Sequence, residues 1–185
     1  MQTAISTMSD RGNDAITAQL PTEHAQYLTF WLGAELFAVG ILGIKEILQF
    51  GQLTTVPLMP AHIRGVINLR GAVVPVIDLQ ARFGRGAAQA GKRACIVIIE
   101  VVHEGERHDM GIMVDAVSAV IDIGPGQIEP VPAFGASVRN DFIAGMGKLD
   151  DRFVIILDVA RTFSFGELSA IHDAGGGMAY DRITG

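Results

Sequence analysis

The strongest constraint on this chain is that part of it occurs twice. Ile63, Gly65, Leu69, Val74, Asp78 and Phe83 reappear without a gap as Ile143, Gly145, Leu149, Val154, Asp158 and Phe163, each pair 80 positions apart. The conservative pairs Ile77/Leu157 and Leu79/Val159 keep that register, and Ala38-Val39 with Ile44 echoes Gly111-Ile112 with Val117 after a change of length between them. One offset carrying apolar, glycine and acidic positions together implies two copies of a small unit. A unit of this size buries too little surface to be stable alone, so the copies are expected to pack as a pseudo-symmetric pair.

The unit reads as β. Short runs rich in Val and Ile, separated by Gly, Pro or acidic residues, recur from Tyr27 to Phe163. Strands are predicted over 27–32, 36–41, 52–56, 66–69, 73–77, 94–102, 110–114, 143–149 and 153–157. Tight turns are expected at Gly33-Ala34-Glu35 and Arg70-Gly71. The three-then-four spacing of Ile41, Ile44 and Leu48 predicts a short helical bend over 41–48. Closure into small barrels would remove free sheet edges, which suits such a repeat. The small, polar run 84–91 reads as a flexible loop near the junction of the copies. Residues 1–26 read as a polar tail, with Met8 an alternative initiator to Met1, and 164–185 as a short helix from Glu167 to Asp173 followed by a Gly-rich end.

Composition narrows the function. Of the 185 residues, 49% are hydrophobic and 18% charged, so a core can be filled; 14 Lys+Arg against 20 Asp+Glu give a net charge of −6, which opposes nucleic acid and anionic lipid as partners. Every apolar run is interrupted well short of the ~18 residues that a membrane span needs. The single cysteine, Cys95, cannot form an internal disulfide and suits a reducing compartment, the cytosol by default.

Few residues suggest catalysis. Asp78 and Asp158 occupy matching positions at the ends of apolar strands, where a carboxylate caps the first free N–H groups of a helix more readily than it does chemistry; Asp115 reads the same way. The polar stretch with His103, His108 and Asp109 could hold a metal ion but is explained as a solvated hairpin loop, and no His-Glu-x-x-His or Cys-x-x-Cys spacing accompanies it. No nucleophile elbow, Walker loop or dinucleotide fingerprint is present. The weight moves to binding. Arg70 is expected at a rigid hairpin tip, offering a planar fork of donors, either to solvent or to a partner. Pro75 suggests an edge or bulge in the next strand. Glu46 stands among Ile41, Leu42, Ile44, Ile47 and Leu48, either as a lone exposed charge or as the punctuation of an apolar partner surface.

Gly65-Val66-Ile67-Asn68-Leu69-Arg70-Gly71-x-Val73-Val74-Pro75-Val76-Ile77-Asp78-Leu79, preceded by Ile44-x-Glu46-Ile47 and Val56-Pro57 and followed by Gly111-Ile112-x-Val114-Asp115-x-Val117, resembles the CheW family of chemotaxis coupling proteins from about Tyr27 to Phe163. The resemblance implies an all-β fold of two tandem SH3-like five-stranded β-barrel subdomains with short helical segments over 27–163. It implies a cytoplasmic, non-enzymatic adaptor that joins chemoreceptor tips to the regulatory domain of the histidine kinase CheA in arrays at the inner face of the membrane, with no cofactor or metal, no nucleic acid and no membrane insertion. By the same resemblance Ile44, Glu46, Ile47, Gly65, Asn68, Leu69 and Arg70 are the partner-binding residues, Arg70 and Glu46 giving polar selectivity and Ile44 and Ile47 contact area. The stretch 58–62 and the N-terminal tail depart from the common pattern. The alternative is a small metal-binding regulator or enzyme built on His103, His108, Asp109 and Asp115.

Overall fold

A computed structural model describes residues 23–132 and 140–163. The strands are β1 (Ala25–Leu32), β2 (Glu35–Gly40), β3 (Ile44–Gln49), β4 (Ile63–Leu69), β5 (Ala72–Asp78), β6 (Cys95–His103), β7 (Glu106–Val114), β8 (Ala116–Ile123), β9 (Ile128–Glu129), β10 (Ile143–Leu149) and β11 (Arg152–Leu157). Two helical turns, α1 (Leu79–Arg82) and α2 (Val159–Thr162), follow β5 and β11. The described residues are therefore mostly β, in two sheets: β3-β6-β7-β5-β4 and β8-β1-β2-β11-β10-β9.

The repeat holds in three dimensions. β4–β5 and β10–β11 are hairpins with the same register, each with an irregularity before its glycine, Gly65 or Gly145. β5 then runs parallel to β7, pairing Val76 with Gly111, and β11 parallel to β2, pairing Ile156 with Ala38. Asp78 caps α1 through the N–H of Ala81, and Asp158 caps α2 through that of Arg161. The two subdomains interleave along the chain, however, and are not simply tandem. The first sheet is the continuous stretch β3–β7, whereas the second takes β1 and β2 from before it and β8–β11 from after it.

Three apolar clusters explain why the strands read as unbroken apolar runs. Successive side chains of a strand point to opposite faces, and along much of the inner strands β2, β5, β6 and β7 both faces are buried. Ile96, Ile98, Val74 and Val76 fill the core of the first subdomain, and Leu36, Ala38, Val154 and Ile156 that of the second. The alternate residues Val97, Ile99, Ile112, Phe37 and Val39 form a third cluster between the two. Burial of that shared face joins the subdomains by the hydrophobic effect.

Several expectations change. Residues 41–43 are a single 3-10 turn between β2 and β3, so the helical bend expected within 41–48 is confined to its first three residues and 44–49 is strand β3. The strand expected at 52–56 reduces to one bridge, Thr54 to Val66. β8, unassigned from sequence, is a full strand. The run 84–91 is tied down at Ala88, which is buried and donates its N–H to Asp78. Pro75 lies on an inner strand. Both backbone groups of the opposing Val66 bond Thr54 instead of β5, and parallel pairing with β7 starts only at Val76, so no ladder bond is lost at Pro75. The helix expected over 167–173 and both tails lie outside the described residues.

Candidate functional site

The family motif converges on one end of the first subdomain. Arg70 and Gly71 form the two-residue turn of the β4–β5 hairpin with φ of 51° and 87°, the left-handed pair of a type I′ turn. Gly71 takes that conformation freely, and its N–H donates to Oδ1 of Asn68 at 2.9 Å, which pins the tip. Arg70 is thereby projected with 77% of its side chain exposed, and its Nη2 donates to Oε2 of Glu46 at 2.7 Å.

Glu46 comes from β3, at the edge of the same sheet. Its side chain is 22% exposed, and its other oxygen, Oε1, is buried and accepts no hydrogen bond among the described residues. Arg70 therefore compensates a carboxylate that is half withdrawn from water, a costlier position than that of a free surface charge. Next to Glu46, Ile47 stands 43% exposed, and Val73, on the strand after the tip, 59% exposed. The result is an ion pair on a rigid turn, with Ile47 exposed on the face of β3 opposite Glu46 and Val73 exposed two residues beyond the turn.

The other proposed contacts are placed differently. Ile44 is half-buried against the shared cluster and Leu69 half-buried against the core of the first subdomain, so each leaves only part of its side chain uncovered. Gly65 is required by close approach: a Cβ there would lie 2.6 Å from the carbonyl oxygen of Thr54. Its absent side chain lets the 50–62 segment lie on β4 through the two Thr54–Val66 backbone bonds. Asn68 acts on the turn. Val73 carries no outward signal in the sequence, because it shares a face of β5 with the buried Ile77; Leu42 and Leu58, both fully exposed, carry no periodic signal either.

The alternative metal residues do not come together. His103 and His108 lie on the β6–β7 hairpin, whose Glu104-Gly105 turn is again left-handed at both residues. Asp109 is held by Lys45 Nζ at 2.7 and 2.9 Å, and Glu100 lies 3.4 Å from the same ammonium. Those contacts, led by the hydrogen bond to Asp109 and opposed by desolvation, hold the Lys45 pKa above the ordinary lysine value. Asp115 accepts from the Gly33 N–H at 2.6 Å and from Gln80 Nε2 at 3.3 Å, a structural tie. Among the described residues no group of three or more His, Cys, Asp or Glu side chains could hold a metal ion, and no helix is long and apolar enough to cross a membrane.

Residues 26–167 match the CheW-like domain family. The chain is 32% identical over 146 residues to the chemotaxis protein CheW of Klebsiella aerogenes, covering 79% of this chain and 86% of that one. It is 36% identical over 140 residues to CheW of Helicobacter pylori, covering 74% and 80%. The crystal structure of the scaffolding protein TtCheW from Thermoanaerobacter tengcongensis superimposes with a TM-score of 0.69 at 33% identity, covering 84% of this chain and 94% of that chain.

Proposed function

Because this chain belongs to the CheW family, we propose that the end of its first subdomain around Glu46, Ile47, Arg70 and Val73 is a partner-docking surface, through which it couples chemoreceptor tips to the regulatory domain of the kinase CheA at the inner face of the membrane. As a member of that family the protein is a chemotaxis scaffold with no reaction of its own. The observation that carries the docking surface is the Arg70–Glu46 pair, held at an exposed left-handed turn on strands that also expose Ile47 and Val73. Apolar contact supplies the energy of such an interface, and the fixed guanidinium and carboxylate select among partners by charge and geometry.

Receptor cytoplasmic fragments and CheA, each titrated against the purified protein, test the reading. Arg70→Ala is expected to weaken binding of at least one partner by about 1–3 kcal/mol, the range for a lost charge-assisted contact, while stability falls by about 1 kcal/mol because Glu46 is left half withdrawn from water without its cation. Full binding of both partners by Arg70→Ala and Glu46→Lys would remove the pair from the interface.

A further inference from the structure

Phenylalanine rings run across the junction between the subdomains. Phe30 on β1, Phe37 on β2 and Phe142 just before β10 belong to the second subdomain, whereas Phe83, directly after α1, belongs to the first. Phe83 is inserted between two rings of the other subdomain, 5.7 Å from Phe37 and 5.9 Å from Phe142, and Phe37 continues the stack to Phe30 at 6.2 Å. Two arginines beside Phe83 grip the same two rings. The Arg82 guanidinium sits 5.0 Å over Phe142 and its Nε donates to the Thr162 carbonyl oxygen, at the end of α2, at 2.9 Å. The Arg85 guanidinium sits 5.8 Å from the centre of Phe37 and pairs with Glu35 at the start of β2.

This clamp belongs to one copy of the repeat: the residue matching Arg82 is Thr162, whose backbone is the acceptor. Asp115, where the chain passes from β7 to β8, adds a third tie beside it through Gly33 and Gln80. The shared apolar cluster supplies attraction but little direction, and it leaves a small gap lined by Val39, Leu79, Ile99, Leu157 and Phe163. Hydrogen bonds and cations over ring faces are directional. We propose that Arg82 and Arg85 are positioning residues that fix the angle between the two subdomains, and thereby the orientation of the Glu46–Arg70 surface of the first relative to a second partner docked on the other. The second half of that statement rests on the adaptor reading above; the first does not.

Spin labels on the exposed Val73 and Val120, one on each subdomain, with Cys95 replaced by Ser, report the angle in the full chain as a pulsed electron-resonance distance. The otherwise unchanged protein should give one narrow distance, and the Arg82→Ala/Arg85→Ala variant a broadened or displaced one with cooperative unfolding retained. Arg82→Lys/Arg85→Lys keeps the charge without the planar fork and should not restore the narrow distance. An unchanged distance in the alanine variant, or full restoration by lysine, overturns the clamp. If the double variant does not fold, Arg85→Ala alone is judged by the same distance. For coupling, each partner alone should bind the alanine variant as it binds the parent. If the competent orientation falls to about one-tenth of the population, capture of CheA by the receptor-bound protein should fall about tenfold. A broadened distance with undiminished capture overturns the link to coupling, whereas a parent protein that binds neither partner overturns the adaptor reading and leaves the distance to judge the clamp.

Discussion

The β4–β5 and β10–β11 hairpins share a register, an irregularity, a glycine and an aspartate cap, yet they end differently. The first turns through Arg70-Gly71 in the left-handed region, pinned by Asn68; the second turns through Asp150-Asp151, neither of which has a positive φ. The edge strands diverge in the same way. Ile44, Glu46 and Ile47 on β3 correspond to Val117, Ala119 and Val120 on β8, and where the first subdomain has an acid, the second bonds the backbone of Ala119 to the Thr29 hydroxyl. Among the described residues, therefore, the first copy alone carries the ion pair. What both copies keep is what packing demands, and what separates them lies at tips and edges, where side chains are released from packing to act on something else.

The two aspartate caps should show the largest difference. Asp78 is buried, with 1% of its side chain exposed, and accepts from the Ala81 and Ala88 N–H groups and from Arg64, whereas the Asp158 side chain is 27% exposed and serves only α2 and Arg161. Asp78→Ala strands buried donors and should cost roughly 3 kcal/mol, against about 1 kcal/mol for Asp158→Ala, a simple cap. Urea midpoints decide it, and equal losses would mean that the buried loop at Ala88 adds nothing.

Gly65→Ala comes next. Its Cβ would press on the Thr54 carbonyl, so a loss of about 2 kcal/mol is expected by overpacking, with faster amide exchange at Thr54 and Val66 as the local signature. A third contrast concerns exposed strain. Leu58 is fully exposed at φ 63°, a conformation that Asn or Gly adopts more easily. Leu58→Asn should raise stability by about 0.5–1 kcal/mol in thermal unfolding, and no gain would mean that the turn pays for itself elsewhere.

The smallest effect concerns alkaline pH. Burial raises the Tyr27 pKa above 10.0, and the Asp109 hydrogen bond raises that of Lys45 above 10.5. For both groups the protonated form is favoured by folding, so their contribution is complete below those ordinary values and is lost as pH climbs past them. The position matching Lys45 on β8 is Ser118, so Lys45→Met should flatten part of the alkaline decline while leaving the second subdomain's edge unchanged. A pH series of unfolding midpoints up to about 11 covers the window.

The sequence alone determined the duplication, the all-β character, the two aspartate caps and the Arg70-Gly71 turn. Each of these is local, or repeats at one spacing, and so leaves a linear trace. It also singled out Glu46 and Arg70 separately through the motif. Only the tertiary structure decided that they pair, because residues 24 positions apart meet only when the β4–β5 hairpin is brought against the β3 edge. It likewise packed one side of Ile44 and of Leu69 against apolar clusters and showed Gly65 to be a backbone contact, and it interleaved the subdomains so that β1 and β2 complete the second sheet. Where both faces of a strand are apolar, as over Leu36–Val39 and Ile96–Ile99, alternation cannot say which face meets its own core and which meets the other subdomain. That choice is made by long-range strand pairing, and the pairing decides which side chains remain outside to meet a partner.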